Sequence, residues 1–338
     1  MRVLASGSGG DATFELVPPR LADGPRFWAE LSLRIARELR RFRPHAVLAQ
    51  SAYEAAAALA ARRLVGQRTP VLVDVHGDWR TSTRLYGSPL RRAVSPVADR
   101  VALAALRHAD AVRTVSDYTS GLARDVGIEP ADVFPAFMDL DPFAEPPVQP
   151  LPEPASALFV GVLELYTNVD GLAEAWRLAA PRAPEATLRI VGRGSRADVI
   201  ERLVADLPEQ TSWTPSLPAS EVAAALDTAT LLVLPSRSEG MGRVVVEALL
   251  RGRPVVGARV GGIRDLVHDG ENGLLVEPGD AAALADALVR VLSDRELAER
   301  LASGARPSVE PWLATPEEYA SRLHALVTRV AAPRLDDS

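Results

Sequence analysis

The chain has 338 residues, 47% of them hydrophobic and 24% charged, which is enough for two globular domains with sizeable cores. It contains no cysteine, which excludes disulfides and thiolate chemistry and fits a cytosolic protein. A net charge of −6 without a basic tract argues against nucleic-acid binding. Because no apolar run approaches membrane-spanning length and the start lacks a signal-peptide pattern, we predict a cytoplasmic protein that is soluble or peripherally bound to a membrane.

The first 17 residues combine two strand patterns with a glycine-rich segment. Residues 1–5 and 13–17 are each predicted to form a strand. Residues 7–12 formally meet a loose dinucleotide-binding fingerprint, but that motif must open a helix, and no helix has room between the two strands. We therefore assign no dinucleotide site to this segment.

A helix is predicted from Arg26 to Arg43, because apolar residues recur there at helical spacing with arginines beside them. The apolar positions are Phe27, Trp28, Leu31, Ile35 and Leu39, and the arginines are Arg34, Arg37, Arg40, Arg41 and Arg43. Residues 1–150 hold 19 arginines and 17 acidic residues, a balance of +2 that leaves −8 for the remainder. Two interpretations stay open: contact with an anionic membrane or a lipid-linked acceptor, and packing on the domain's own sheet with solvated arginines.

Strands and helices alternate through the rest of the chain, which predicts parallel sheets covered by helices. The clearest strand patterns are residues 46–49, 71–75, 187–191 and 254–256. His76 directly follows one of these strands, and ligands of open parallel sheets bind at the carboxyl ends of strands. We therefore predict a functional role for His76, with Asp78 and Trp79 as weaker candidates beside it.

A proline-dense stretch from Glu145 to Pro154 is predicted to join two lobes. The boundaries that follow are a first domain over residues 1–147, a second over residues 148–312, and a C-terminal segment over residues 313–338 that is mainly helical. Two lobes that face one cleft would close around a ligand and exclude water from it.

The run from Pro235 to Leu249 is the most informative part of the chain. A predicted buried strand, Leu231 to Leu234, precedes it, and a helix is predicted from Arg243 to Arg251. Between them, Gly240 and Gly242 carry no side chains, so backbone N–H groups at a helix N-terminus can approach an anion such as a diphosphate.

Two carboxylates accompany this glycine loop. Glu239 lies in the loop and Glu247 lies eight residues later on the helix. Each carboxylate can accept two hydrogen bonds from hydroxyl groups. One carboxylate could therefore bind a hexose and the other the diol of a ribose. Two glutamates at this spacing are more often a solvated helix face, so the spacing alone decides nothing.

The segments that follow the helix 243–251 form an ordered series of predicted elements. Residues 252–257 predict a turn and a strand, residues 261–263 a second glycine loop, and residues 269–276 a hairpin-like return. The block from 231 to 294 resembles the nucleotide-sugar-binding half of retaining glycosyltransferases of family 4, also called glycosyl transferases group 1. Residues 109–117, 139–143 and 158–161 resemble further segments of that family.

This resemblance implies the GT-B fold, with two Rossmann-like parallel-sheet domains facing an interdomain cleft and a C-terminal helix that crosses back onto the first domain. It implies transfer of a hexosyl group from a nucleoside-diphosphate sugar to a hydroxyl of a glycan, lipid or small-molecule acceptor, with retention at the anomeric carbon. His76 and Glu239 would be catalytic. The donor would be held by Gly161, Arg193, Ser236, Gly240, Met241, Gly242, Arg243 and Glu247.

No cofactor and no metal ion are predicted. The sequence has no recognisable cluster of histidine and aspartate ligands, and in the resembled family loop amides and an arginine can stabilise the leaving diphosphate. The expected partners are therefore a nucleotide sugar and an acceptor, with no nucleic acid.

Two departures from the family stand out. Val162 and Thr167 occupy positions where it usually has an arginine and a lysine for the donor phosphates, and Arg193 and Arg243 are the nearest candidates to compensate. Family members also usually begin with a strand, a glycine-rich loop and a long helix. We expect that first strand-helix unit to be missing here.

Two other functions stay open. A GT-B-fold sugar-nucleotide epimerase would need acid and base carboxylates that the expected loops lack. A catalytically impaired nucleotide-sugar-binding or scaffold subunit is motivated by the short start and by Val162 and Thr167.

Overall fold

The structure, a computed structural model, describes residues 2–4, 15–17, 25–81, 89–144 and 148–332. Strands β1 (Arg2–Leu4) and β2 (Glu15–Val17) pair in parallel as a separate two-stranded sheet. The prediction that no helix fits between them falls on residues outside the described ranges. Within the described ranges, no helix has the length and apolarity needed to cross a membrane.

The first domain is built on a four-stranded parallel sheet in the order β3-β4-β5-β6. Its strands are β3 (Val47–Ala49), β4 (Val71–Val75), β5 (Ala111–Thr114) and β6 (Asp132–Val133). Its helices are Pro25–Arg41, Ala52–Val65, Pro89–His108, Asp117–Arg124 and Asp141–Ala144. All five residues of β4 are buried, as expected for a central strand covered on both faces.

The helix Pro25–Arg41 packs on its own domain. Leu31, Ile35 and Leu39 are buried in the first-domain core, so these three residues are not available to a membrane surface. Arg34 is also buried, which corrects the expectation that the arginines of this helix are all solvated. The side chains of Phe27 and Trp28 lie outside the described residues, and membrane contact remains a prediction.

The second domain has a six-stranded parallel sheet in the order β9-β8-β7-β10-β11-β12. Its strands are β7 (Ser156–Val160), β8 (Thr187–Val191), β9 (Thr211–Thr214), β10 (Leu231–Leu234), β11 (Val255–Ala258) and β12 (Gly273–Val276). Its α-helices are Val169–Ala179, Ala197–Asp206, Ala219–Asp227, Arg243–Leu250, Gly261–Leu266, Ala281–Ser293 and Arg295–Ser308. Counted within the domain, the strand order is 3-2-1-4-5-6, that of a doubly wound nucleotide-binding sheet.

The hairpin-like return predicted for residues 269–276 is wrong. β12 pairs in parallel with β11, because the helix Gly261–Leu266 connects the two strands as a crossover and the turn after it reverses the chain before β12 begins. The Asn272 side chain closes that turn: its Oδ1 accepts from the backbone N of His268 at 2.7 Å, and its Nδ2 donates to the carbonyl of Leu266 at 3.0 Å. The second predicted glycine loop begins a short helix, Gly261–Leu266.

The C-terminal helix, Pro316–Ala331, packs against the first domain rather than the second. It begins at Thr315 with a capping box, and its Leu326 is fully buried in a small cluster with Leu72 and Ala111 of the first sheet. Arg322 donates to the carbonyl of Val133 at 3.2 Å. This helix therefore covers one face of the first-domain sheet.

Candidate active site

A cavity of about 600 Å³ lies between the two domains. Its first-domain wall follows the carboxyl ends of β3 and β4 and consists of Gln50, Ser51, Ala52, Tyr53, Val75, His76, Gly77, Asp78, Trp79 and Thr81. Its second-domain wall follows β7 and β10 and consists of Val160, Gly161, Val162, Tyr166, Thr167, Leu234, Ser238, Glu239, Gly240, Arg243, Val244 and Glu247.

The second-domain wall coincides with the topological switch point of its sheet. β7 and β10 are neighbours, and the strand order runs in opposite directions on either side of them. Loops that leave two such strands diverge, and the crevice between them is where doubly wound sheets bind nucleotides. The loop after β7 and the glycine loop after β10 therefore face the same space.

Of the ten residues predicted for the site, six line this cavity: His76, Gly161, Glu239, Gly240, Arg243 and Glu247. The other four do not. Arg193 is exposed to solvent, and Ser236 is fully buried with an Oγ that no group of the described residues hydrogen-bonds. Met241 and Gly242 belong to the glycine loop but are not part of the cavity wall, and Gly242 is the N-cap of Arg243–Leu250 with φ 74°.

Glu239 is held by the loop that follows it. Its Oε1 accepts a hydrogen bond from the backbone N of Gly242 at 3.3 Å, and its carbonyl accepts one from Gly262 at 3.1 Å. Burial raises the pKa of the Glu239 carboxyl, and the amides of Gly242 and Gly240 oppose that rise. The loop thus aims a partly desolvated carboxyl at the cavity.

Glu247 forms an ion pair within its own helix. Arg243 Nε donates to Glu247 Oε1 at 2.7 Å, and Arg243 Nη2 also donates to the carbonyl of Asp139 in the first domain at 3.1 Å. Burial raises the pKa of Glu247, and Arg243 opposes that rise. Arg243, proposed from the sequence as a cation for phosphates, is thus already engaged by a carboxylate that lines the same cavity.

The two domains touch directly at the glycine loop. A Cβ atom added to Gly240 would lie 1.7 Å from the carbonyl oxygen of His76 and 3.0 Å from the Cα of Gly77. Ser116 Oγ donates to the carbonyl of Gly240 at 3.2 Å, and Ser238 Oγ lies 3.2 Å from Thr81 Oγ1. Only a glycine at position 240 allows these loops to approach so closely.

His76 has a buried partner that the sequence analysis missed. Its Nε2 lies 3.0 Å from Oδ2 of Asp74, whose side chain is fully buried. The available signal was a single charged residue inside the apolar strand 71–75. Asp78 and Trp79 do line the cavity, but both Asp78 oxygens accept hydrogen bonds from Arg80, and Trp79 is nearly buried.

The two positions that depart from the family pattern have different environments. Val162 lies on the cavity wall with 43% of its surface exposed. Thr167 is buried, and its Oγ1 lies 2.6 Å from the carbonyl oxygen of Val162 and accepts from the backbone N of Glu164 at 3.2 Å. Thr167 therefore stabilises the loop after β7 through its own hydrogen bonds.

In the described part of the chain, no three histidine, aspartate or glutamate side chains stand together in a way that could hold a metal ion. The prediction that activity needs no metal is not decided by that observation. It stays a prediction.

Sequence comparison finds two family models that together span nearly all of the chain. The model described as "Glycosyltransferase Family 4" matches residues 1–141, and the model described as "Glycosyl transferases group 1" matches residues 144–307. A D-inositol 3-phosphate glycosyltransferase of Frankia alni is 39% identical over 171 residues, which is 47% of this chain and 42% of that protein. The first matched curated relatives are covered over only 31% to 66% of their own length.

Solved structures share the whole architecture at low sequence identity. A sucrose-phosphate synthase from Thermosynechococcus elongatus superposes with a TM-score of 0.79 at 22% identity, covering 97% of this chain and 86% of that one. Anabaena HepE, crystallised in complex with UDP and glucose, superposes with a TM-score of 0.71 at 19% identity, covering 93% and 86%. These likenesses establish a shared two-domain fold.

Proposed function

The chain belongs to the group 1, family 4 glycosyltransferases with the GT-B fold, and on that premise we propose that it transfers a hexosyl group from a nucleoside-diphosphate sugar to an acceptor hydroxyl. We further propose that the anomeric configuration is retained, that no metal is needed, and that the acceptor is a glycan, a lipid or a small molecule. The domain boundaries proposed are residues 1–147, 148–312 and 313–338.

One observation carries this proposal. Glu239, Glu247 and the glycine-loop residue Gly240 line the same cavity at the switch point of the second sheet. A helix N-terminus preceded by glycines suits a diphosphate, and two carboxylates that accept hydroxyl hydrogen bonds suit the two sugar rings of a nucleotide sugar. The crystal structure of Anabaena HepE with UDP and glucose supports the same kind of ligand for this fold.

In the proposed reaction, the acceptor oxygen forms a bond to the anomeric carbon while the bond from that carbon to the diphosphate oxygen breaks. The acceptor proton passes to the departing diphosphate on the same face of the sugar, so neither glutamate has to act as a nucleophile. Glu239 would bind the transferred sugar, Glu247 the ribose, and the amides of the glycine loop would stabilise the developing negative charge. His76 would contact the transferred sugar from the opposite wall.

The test is a thermal-shift screen of sugar nucleotides, followed by analysis of the products. A donor that binds the folded state raises the melting temperature by mass action, so hits identify both base and sugar. NMR of the product then reports the anomeric configuration, and an excess of EDTA tests metal independence. Binding without transfer to any acceptor would favour the scaffold subunit, and conversion of the sugar nucleotide without an acceptor would favour the epimerase.

Binding of a nucleoside diphosphate should weaken as the pH falls. Burial raises the pKa of Glu247, so this carboxyl takes up its proton at a higher pH than an ordinary glutamate and then loses acceptor capacity for the ribose. We expect calorimetric titration with UDP, GDP or ADP, whichever binds best, to show affinity falling from pH 8 toward pH 5. The Glu247→Gln variant should bind the nucleoside diphosphate more weakly at pH 8. Its affinity should change with pH only as far as the nucleotide's own phosphates titrate.

Replacing Val162 by arginine should tighten nucleoside-diphosphate binding by about tenfold or more, because one charge-assisted hydrogen bond contributes about 1.5–3 kcal/mol. Val162 is exposed on the cavity wall, so the new side chain has room. Thr167→Lys is the informative comparison. It should destabilise the domain, because Thr167 is buried and its hydroxyl holds the loop. Calorimetric titration measures the gain in affinity expected for Val162→Arg, and the melting temperature measures the loss of stability expected for Thr167→Lys. An unchanged dissociation constant for Val162→Arg would mean that the phosphates do not bind beside residue 162.

A further inference from the structure

A buried chain of polar groups leads from the cavity to the C-terminal helix. His76 faces the cavity with 40% of its side chain exposed, and its Nε2 lies 3.0 Å from Asp74 Oδ2. An ionised carboxylate can only accept hydrogen bonds, so an Asp74 oxygen at this distance favours the form of the His76 ring that carries its hydrogen on Nε2. In the neutral ring Nδ1 is then the acceptor, and this is the nitrogen left for a substrate hydroxyl.

Asp74 is itself fixed by a buried arginine. Asp74 and Arg113 are direct register partners on β4 and β5, both side chains are fully buried, and Arg113 Nη1 donates to Asp74 Oδ2 at 2.5 Å. Arg113 Nη2 donates to the carbonyls of Phe134 and Pro135 at 2.7 Å each. The guanidinium is thus fixed through both Nη atoms, and Nη1 holds the same Asp74 oxygen that lies beside His76, whereas Asp74 Oδ1 has no hydrogen-bond partner among the described residues.

The C-terminal helix covers this arginine. The Arg113 guanidinium carbon lies 3.7 Å from the centroid of the Phe134 ring and 5.4 Å from that of Tyr319. Tyr319 belongs to the helix that lies on the first domain, and it packs edge-on against Phe134 with ring centroids 5.7 Å apart. Aromatic faces on a desolvated guanidinium stabilise its charge and its orientation.

We infer that Asp74 and Arg113 are positioning residues that fix the tautomer and ring orientation of His76. The C-terminal helix holds Arg113, and through it Asp74, in place by means of Tyr319. The expected effect of these residues on kcat rests on the proposed function. The pairing of Asp74 with His76 does not, so the pairing and the proposed function can fail separately.

The decisive measurement is the protonation pattern of the His76 ring in long-range ¹H–¹⁵N NMR spectra, with His76→Ala used to assign its signals. The wild-type ring should carry its hydrogen on Nε2. In Asp74→Asn the ring should populate both tautomers, because an amide can donate as well as accept. Asp110→Asn is the matched control: that carboxylate is also bonded to an arginine, Arg62, but its backbone precedes β5 at the opposite edge of the sheet, and it should leave His76 unchanged.

Activity supplies the second readout. Asp74→Asn should lower kcat about tenfold to a hundredfold, the range found for hydrogen-bond partners of metal-ligating histidines, with little change in the dissociation constant of the nucleoside diphosphate. In a His76→Ala background the same substitution should have almost no further effect on kcat. An equal loss in that background, or an unchanged His76 tautomer in folded Asp74→Asn, would overturn the inference.

Asp74→Asn leaves the buried Arg113 charge without its partner, and such variants can fail to fold. Tyr319→Leu then decides the question, because Tyr319 is half-buried on a surface helix. It should shift the His76 ring signals in the same direction and lower kcat several-fold. Unchanged ring signals in this variant would overturn the inference. A wild-type protein that transfers no sugar would contradict the proposed function. The NMR result would still test the Asp74–His76 pair.

Discussion

Replacing Gly240 by alanine is expected to lower the rate of sugar transfer by about a hundredfold while both domains stay folded. The added Cβ would lie 1.7 Å from the carbonyl oxygen of His76, far inside any allowed contact. The carbonyl oxygen belongs to the backbone and the position of the Cβ atom is fixed by the backbone, so neither atom can rotate away. The loops must therefore separate by more than 1 Å, which takes His76 away from the wall that carries Glu239.

The expected loss arises from geometry across the cleft rather than from binding to one wall. The affinity of the second domain for a nucleoside diphosphate should fall little, because the glycine loop keeps its own hydrogen bonds. The rate constant kcat should carry the effect, since a displacement of about 1 Å between reacting groups is enough to cost about a hundredfold. Measurements of kcat, of the nucleotide dissociation constant and of the X-ray scattering radius would separate these contributions.

Gly121→Ala provides the control. Gly121 lies in the helix Asp117–Arg124, and a Cβ added there meets nothing within 4 Å. Alanine inside a helix is favoured over glycine by roughly 0.5–1 kcal/mol, so this variant should melt slightly higher and transfer sugar at the wild-type rate. A Gly240→Ala protein as active as Gly121→Ala would mean that the reaction does not need the contact between the two loops.

The glycine loop was predictable because its information is local. A buried strand, a proline that stops it, two glycines and a helix place Glu239 and Glu247 at the carboxyl end of β10, and the structure has them there. The same rule placed His76 after β4. What was not predictable is which loops meet across the cleft: the contact between Gly240 and His76 depends on how two domains dock, and no local pattern encodes it.

Asp74 and Arg113 mark a second limit of sequence analysis. Each is a lone charge inside an apolar strand, which is a signal, but the strands are separated by 35 residues and only their register places the charges opposite each other. Tyr319 completes the group from a helix about 200 residues later. Arg193 shows the opposite case: it follows β8 at the carboxyl edge of the sheet, but β8 lies one strand away from the switch point, and the Arg193 side chain is exposed and is not part of the cavity wall.

Replacing Glu239 by glutamine is expected to reduce sugar transfer by about a hundredfold or more and to leave nucleoside-diphosphate binding unchanged. Glutamine has the same shape but only one acceptor oxygen and no charge, so hydroxyls of the transferred sugar lose charge-assisted hydrogen bonds, each worth about 1.5–3 kcal/mol. Two such bonds amount to about 3 kcal/mol at least, and 1.4 kcal/mol is tenfold. Steady-state kinetics with the donor found in the screen, and calorimetry with its nucleoside diphosphate, measure the two quantities.

The selectivity of this loss for the sugar is what assigns Glu239 its role. If Glu239 bound the nucleotide instead, both the nucleoside diphosphate and the whole donor would bind more weakly, and the kinetic loss would appear in KM. Glu164→Gln is the matched control, since Glu164 lies in the loop after β7, accepts hydrogen bonds from Ser195, and is not part of the cavity wall. It should transfer sugar at close to the wild-type rate. Equal losses in the two variants would indicate that any carboxylate at this edge of the sheet has the same effect through the field it creates, and Glu239 would then have no specific contact with the sugar.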